Sequence, residues 1–311
     1  MNQTNSLSVV IPVYNEAESV AELYNQIKAN MDLFQTWEII FVDDGSTDDS
    51  AKIIKSIHDS DNRVKLIQFH RNYGKSVALS EGFKKSEGNF VLTLDADLQD
   101  DPAELIKLFH KMNEGFDLVS GWKKSRKDPL SKRLPSKLFN RITRLMTGVK
   151  INDFNCGIKL YRKRVVESLD IYGGRHRYIP ALAGQKRFRI AEIPVNHRER
   201  KYGVTKYGGA RLFHGFFDLL TILFLQRYTQ RPLHLFGFFG LMSLLISFGI
   251  ETYAVILKIF FGQPFKVHFA LILFGVMLFV LGLWFFSIGL IGEMIAKVTQ
   301  AKENRIKLFL K

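Results

Sequence analysis

LSVVIPVYNEAESVAELYNQIKANMDLFQTWEIIFVDDGSTDDSAKIIKSIH, residues 7–58, alternates between two hydrophobic periods. Residues 7–13 and 37–43 are short runs rich in β-branched and aromatic side chains, as strands are; 16–31 and 47–58 follow them with helix-like spacing. The alternation continues outward. VKLIQFH (64–70), NFVLTLD (89–95) and FDLVSG (116–121) read as further strands, and 75–85 and 102–112 as further helices. Strands separated by 10 to 15 helical residues build βαβ units, so the expected fold class is α/β with a Rossmann-like, mainly parallel sheet. Such sheets bind ligands at the carboxyl ends of their strands. Polar residues gather at those ends: Asn15-Glu16, Asp43-Asp44-Gly45-Ser46, Arg71-Asn72 and Asp95-Ala96-Asp97.

The rest of the 311-residue chain is strongly polarised. Residues 1–120 carry 11 Lys+Arg against 20 Asp+Glu, 121–211 carry 24 against 6, and 212–311 carry 9 against 4. An acidic front, a basic middle and an apolar end follow one another. With 47% hydrophobic residues and 8 prolines the composition excludes collagen-like and disordered classes. A lone Cys156 excludes an intramolecular disulfide or a cysteine zinc site, and packing suits it better than nucleophilic duty. The basic block by itself suits nucleic acid, anionic lipid or phosphorylated substrates.

The apolar end settles that choice in favour of a lipid bilayer, and no nucleic-acid partner is expected. Phe269–Gly292 runs without a charge, longer than the roughly 20 residues a membrane span needs. A second run, Leu235–Leu257, is broken only by Glu251, and Phe261–His268 connects the two. Arg227 and Arg231 precede the hairpin, and Lys297, Lys302, Arg305, Lys307 and Lys311 follow it. The positive-inside rule therefore puts both outer flanks in the cytoplasm. The N-terminal residues lack a signal-peptide core, in keeping with a cytoplasmic front domain. Tyr207–Tyr228 spaces Phe213, Phe216, Phe217, Leu220, Leu223 and Phe224 so as to lie in the membrane interface as an amphipathic helix, or to pack in a core. The expected organisation is a catalytic domain over 1–206, an interfacial helix over 207–231, a two-helix transmembrane hairpin over 232–296 and a basic tail over 297–311. This describes a multi-pass protein of the cell (inner) membrane.

Among the strand-end residues, Ser46 and Thr47 suit a turn or helix cap as well as a site. Asp95 and Asp97 are different. Two carboxylates one small residue apart repel unless a cation sits with them, and a divalent ion with oxygen ligands fits. Two nucleotide signatures fail: no Gly-x-Gly-x-x-Gly follows the first strand, and Gly74-Lys75-Ser76 is preceded by Phe69 where a P-loop needs glycine.

Val9-Val10-Ile11-Pro12-Val13-Tyr14-Asn15-Glu16, Val42-Asp43-Asp44-Gly45-Ser46-Thr47-Asp48 and Asp95-Ala96-Asp97-Leu98-Gln99 resemble, in order and spacing, three signatures of family 2 glycosyltransferases of GT-A fold. Asn152–Gly157, Arg162 and Arg200–Gly208 are similar to the polyprenyl-phosphate branch, which includes bactoprenol glucosyltransferases and dolichol-phosphate mannose synthases. The resemblance spans nearly the whole chain. It implies inverting transfer of one hexose from a nucleotide sugar to polyprenyl (undecaprenyl) phosphate, with Mg²⁺ or Mn²⁺ as cofactor. It implies that Pro12, Tyr14, Glu16 and Asp43 cradle the nucleoside, that Asp95 and Asp97 hold the metal on the donor diphosphate, and that Gln99 lies near the sugar. Arg200 and Lys206 would meet phosphate oxygens. Asp153 is the acidic candidate near the acceptor, or else a turn residue. The residues leave uridine and guanosine donors open, while the resemblance favours UDP-glucose; a homo-oligomer is expected. Transfer to another lipid, or a non-catalytic membrane scaffold or translocation partner, is the rival reading. Gln185-Lys186-Arg187-Phe188 departs from the Gln-x-x-Arg-Trp signature of processive synthases, against a polymerase. The basic stretch Lys123–Lys137 suits a flap over phosphates or a lipid-facing surface.

Overall fold

In the computed structural model the chain divides into two compact units, Met1–Leu219 and Leu220–Lys311. The structure describes residues 5–124, 140–171, 173–199, 201 and 232–300, the last five by backbone alone. The interfacial segment 207–231, the positions Arg200 and Lys206, most of the basic stretch and the tail beyond 300 lie outside the described residues.

Among the described residues the first unit holds seven strands, β1 (Ser6–Val13), β2 (Thr36–Asp43), β3 (Val64–Gln68), β4 (Phe90–Thr93), β5 (Leu118–Trp122), β6 (Lys159–Arg162) and β7 (Ile190–Pro194). They form one sheet in the order β3-β2-β1-β4-β6-β5-β7. β1 pairs in parallel with β2 and β4, β2 with β3, and β5 with β7; β6 runs antiparallel to both of its neighbours. The expected mainly parallel α/β sheet is present. β6 and β7 are additions that the alternating pattern does not announce.

Helices cover both faces, so the strands are apolar on both. Leu7, Val9, Ile11 and Val13 of β1, Ile39 and Phe41 of β2 and Leu92 of β4 share one core with α1 (Ala17–Lys28), α2 (Ser50–Ser60) and α4 (Leu105–Asn113). The intervening Val10, Ile40, Val42 and Val91 join a second core with α3 (Lys75–Lys85), α5 (Lys163–Ser168) and α6 (Ile179–Gln185). This is the period-2 pleat of a sheet buried twice over, each such side chain contributing roughly 1.5–3 kcal/mol. The helix expected from Thr47 starts at Ser50, because Ser46, Thr47 and Asp48 are used elsewhere. Their side chains and backbone tie the loop after β2 to the loop after β1, as described below.

The second unit is a helical hairpin, α7 (Pro232–Phe261) and α8 (Phe269–Gln300), with a 3-10 turn at Phe265–His268. Both are long and apolar enough to cross a membrane, with mean hydropathy of 2.0 and 2.7 and only 11% of each apolar window buried. A core helix of a soluble protein would be buried. α8 extends through Gln300, so the expected tail begins inside a helix. Small residues recur every seven positions where the helices cross. On α7 these are Gly240, Ser247 and Ala254, all buried, and on α8 Gly275, Gly282 and Gly289. A side chain at Gly240 would come within 3.0 Å of the Gly282 carbonyl, and Ser247 Oγ donates to the Gly275 carbonyl at 2.8 Å. A seven-residue repeat keeps one seam facing its partner along the crossing, and small residues let the backbones approach. Gly275 also makes room for Glu251, whose Oε1 lies 2.4 Å from where a Cβ would stand.

Candidate active site

The loops after β1 and β2 are stitched together at the sheet's carboxyl edge. Asn15 sits at φ 52°, and its backbone N–H donates to Ser46 Oγ at 2.9 Å while its Oδ1 accepts from Thr47 N at 2.8 Å. Glu16 N donates to Ser50 Oγ at 2.9 Å and Ala17 N to Asp48 Oδ2 at 3.1 Å. These bonds hold the loop carrying Tyr14 and Glu16, half-buried like Pro12, against the loop that follows Asp43. Asp43 is fully buried at the end of β2. Its Oδ1 accepts from Ser46 N at 3.1 Å, and its Oδ2 is buried with no hydrogen-bond partner among the described residues. A buried carboxylate oxygen left this way is costly unless a ligand N–H completes it.

Asp44, the adjacent residue, is a bracket. Its two oxygens accept from Tyr73 N at 2.7 Å and Gly74 N at 2.9 Å, and burial outweighs these bonds to push its carboxyl above the usual range. Gly45, at φ 70°, lets the Arg71 backbone approach to where a Cβ would overlap it. Together they place Lys75 at the start of α3, where its Nζ contacts Asp95 Oδ1.

β4 ends at Thr93, and the chain turns over residues 96–98. Leu94, Ala96 and Leu98 are buried in the first core, and Asp95, Asp97 and Gln99 lie between and after them. Leu98, at φ 61°, makes the turn, and Gln99 N donates to Asp97 Oδ1 at 3.1 Å. Burial raises the Asp95 carboxyl, but the ammonium groups of Lys75, Lys123 and Lys159 outweigh it and hold the group well below the usual carboxylate range. Lys123 Nζ in turn lies 3.0 Å from Asp100 Oδ1, a fully buried carboxylate. Burial opposes the Lys123 charge, yet the carboxylates of Asp100 and Asp95 hold it firmly protonated. Burial depresses the Lys159 amine instead, and its Nζ donates to the Cys156 carbonyl. His176 joins the same cleft. Burial and the nearby cations keep it neutral, with Nδ1 2.9 Å from Ser76 Oγ.

Gly157 forms the floor under both acidic groups. A Cβ there would stand 2.3 Å from Asp100 Oδ2 and 2.7 Å from Asp95 Oδ2. The neighbouring Asp153 is 1% exposed, with its Oδ1 accepting from Asn155 N at 3.2 Å and its own N–H donating to Glu192 Oε1 at 2.7 Å. That is the geometry of a residue organising its loop. The chain leading to Arg200 is laid along the aspartate loop: Asp100 bridges His197, Arg198 N donates to the Gln99 carbonyl at 2.9 Å, and Arg198 Nη2 pairs with Asp101 at 2.7 Å.

The two carboxylates fit Mg²⁺ or Mn²⁺. They are hard oxygen ligands, and the flanking cations keep Asp95 ionised without metal. Among the described residues no group of three or more His, Cys, Asp and Glu side chains is gathered for a metal. An ion there would draw its remaining ligands from water and phosphate, which Mg²⁺ commonly does. Sequence reasoning singled out Asp43, Asp95 and Asp97, and did not connect Lys75, Lys123, Lys159, Asp100 or Gly157 with Asp95, as the structure does. The one available signal was Gly74-Lys75-Ser76, a cation at a helix start beside a strand end; a buried lysine in a strand carries none.

A seven-stranded, mainly parallel sheet with Asp43 and the paired aspartates Asp95 and Asp97 at its carboxyl edge has the architecture of a GT-A glycosyltransferase. Residues 8–170 match the model of glycosyl transferase family 2, and the chain belongs to that family. Over 306 residues it is 35% identical to undecaprenyl-phosphate 4-deoxy-4-formamido-L-arabinose transferases of Salmonella dublin and Klebsiella pneumoniae, covering 98% of this chain and 92% of theirs. Among solved structures it is similar to glucosyl-3-phosphoglycerate synthase from Mycobacterium tuberculosis in complex with Mn²⁺ and UDP-glucose. There the TM-score is 0.55 at 19% identity, over 71% of this chain and 79% of that one. The same enzyme with UDP gives 0.54 at 20%, over 70% and 80%. This second likeness is one of fold.

Proposed function

We propose that the chain transfers one sugar from a UDP-linked donor to polyprenyl phosphate, with inversion at the anomeric carbon, at the cytoplasmic face of the inner membrane. The observation that carries this reading is the contact of Lys75 with Asp95, two residues before Asp97, in a cleft that Lys159 also lines, on a chain that continues into two apolar helices. The acceptor is supported by relatives that match almost end to end and are named for undecaprenyl phosphate. Asp43 supports uridine. Ser46 N occupies one carboxylate oxygen, leaving one acceptor for the single ring N–H of uracil, where guanine would offer both a ring N–H and an amino group. To Pro12, Tyr14 and Glu16, half-buried on β1 and the loop after it, we assign the remaining nucleoside contacts.

In the reaction, a phosphate oxygen of the acceptor forms the bond to the anomeric carbon while the bond from that carbon to the donor's β-phosphate oxygen breaks and UDP leaves. A divalent ion on Asp95 and Asp97 would stabilise the charge that gathers on the leaving diphosphate. Lys75, with Arg200 and Lys206, supplies fixed cations for the same charge, and Gln99 borders the sugar. The acceptor phosphate is largely dianionic at neutral pH, so no general base is required, and we assign Asp153 to holding the 152–157 loop in shape.

The test is UDP release by purified full-length protein offered UDP-glucose, UDP-linked 4-deoxy-4-formamido-L-arabinose and GDP-mannose, each with and without undecaprenyl phosphate. Turnover with a UDP-sugar only when the lipid is present supports the reading. Equal use of GDP-mannose, or release independent of lipid, sinks it. Asp43→Ala should weaken UMP binding about tenfold or more, the loss of a charge-assisted hydrogen bond of roughly 1.5–3 kcal/mol, as isothermal calorimetry would read. Topology has its own check. A cysteine at Gln263, in the connector between α7 and α8, should react with an impermeant thiol reagent from outside intact cells, while one at Lys311 should react only after permeabilisation; the reverse pattern overturns the orientation.

A further inference from the structure

Residues 140–147 of the first unit are helical, and the two sides of this stretch differ sharply. Asn140 and Thr143 are buried, 7% and 0% exposed. Ile142, Leu145 and Met146, three and four apart and thus on one face, are 39%, 85% and 48% exposed. Leu145 is the most exposed large apolar side chain among the described residues, above those of the hairpin. Arg141, Arg144 and Lys150 are exposed around this face, and no carboxylate lies between 140 and 150. The helix is also wired to the site. Arg144 Nε donates to the Ile151 carbonyl at 3.1 Å, its Nη2 to Asn152 Oδ1 at 2.7 Å, and Phe154 N to Asn140 Oδ1 at 3.4 Å. The loop so held continues into Asn155, Cys156 and Gly157, which line the cleft at Asp95.

We infer that the helix 140–147 docks on the anionic bilayer surface through Ile142, Leu145 and Met146, and thereby presents the 151–157 loop to the lipid acceptor. Apolar side chains in a basic surround are what an interfacial helix needs: the former enter the headgroup boundary, and the latter meet anionic lipid. A water-facing helix gains nothing from three such residues on its outer side. The inference rests on the membrane reading proposed above, and its test separates the two.

Cys156 is 1% exposed and burial pushes its thiol up to about 12, so a single cysteine introduced elsewhere can be labelled in the native background. Leu145→Cys, Ile106→Cys and Phe279→Cys, each carrying an environment-sensitive fluorophore, would be read in proteoliposomes of phosphatidylglycerol and phosphatidylcholine with and without brominated acyl chains. Ile106 is an exposed apolar residue on α4, and Phe279 lies in α8. Bromine should cut the emission at Leu145→Cys and Phe279→Cys to about half or less, since an interfacial helix sinks ~5–10 Å to the acyl boundary, and leave Ile106→Cys unchanged. Quenching at Phe279→Cys without quenching at Leu145→Cys overturns the docking alone. No quenching at either overturns the membrane reading with it. Equal quenching of Leu145→Cys in purely phosphatidylcholine vesicles overturns the anionic-surface assignment. As a second reading, Leu145→Gln should raise KM for undecaprenyl phosphate and leave KM for the UDP-sugar unchanged; a change in the latter alone counts against the inference.

Discussion

Asp97→Asn lowers turnover by about 10²-fold or more and weakens Mn²⁺ binding in the presence of UDP, while the protein melts within a degree or two of the parent. The size follows from chemistry. Removing one electrostatic stabiliser of a developing anion typically costs on the order of 10²–10³ in rate, and here the lost charge is also half of the proposed metal site. The folding claim follows from geometry. Asp97 Oδ1 accepts the backbone N–H of Gln99, a bond an asparagine carbonyl oxygen accepts equally well, and the side chains are the same size. The variant therefore isolates charge from shape. Steady-state UDP release, calorimetric titration with Mn²⁺ and a thermal melt read the three parts; parental turnover, or parental activity in excess chelator, contradicts the metal assignment.

Gly157→Ala reaches the same centre from the opposite side. The new methyl group would stand 2.3 Å from Asp100 Oδ2 and 2.7 Å from Asp95 Oδ2, closer than packed atoms tolerate. Both carboxylates are already committed, Asp95 to Lys75 and Asp100 to Lys123, so they move together with their lysines or the loop moves instead. A shift of about 1 Å at a positioning group can cost 10²-fold in rate, and overpacking costs ~1–3 kcal/mol in stability. The expected result is a drop in kcat near 100-fold with a lowered melting temperature and near-parental UMP affinity, because the Asp43 recess is built on β1 and β2. Unchanged kcat contradicts the account of the floor; a matching loss of UMP affinity contradicts the separation of the nucleoside end from the phosphate end.

The difference between Asp97 and Gly157 marks where the sequence could be read. Apolar runs ending in Asp43 and in Asp95-Ala96-Asp97 gave both the sheet and its candidate site edge, since a parallel strand buried on both faces is a nearly continuous apolar run whose end stands out. Two apolar runs with basic flanks gave the hairpin for a similar reason: length and charge are local properties. What stayed hidden depends on distant pairing. β6, four residues bearing Lys159 and Arg162, does not look like a central strand, and its reversed insertion between β4 and β5 follows no βαβ rule. Lys75, Lys123 and Lys159 look in sequence like surface lysines. Only the sheet order brings them to Asp95 and Asp100. Gly157 reads as a turn residue until the carboxylates above it are placed. Likewise, nothing in Ile142, Leu145 and Met146 says which side of a helix is already covered.

The central claim is that this chain joins a sugar to a lipid phosphate, and intact-lipid mass spectrometry tests it most directly. Purified protein in proteoliposomes containing undecaprenyl phosphate, Mg²⁺ or Mn²⁺ and a panel of UDP-sugars should yield one new lipid, heavier than the acceptor by a single glycosyl residue, that retains one phosphate and is absent from Asp97→Asn. Products bearing two or more sugar residues, a second phosphate carried over from the donor, or sugar attached to a different lipid while undecaprenyl phosphate remains unchanged would contradict it.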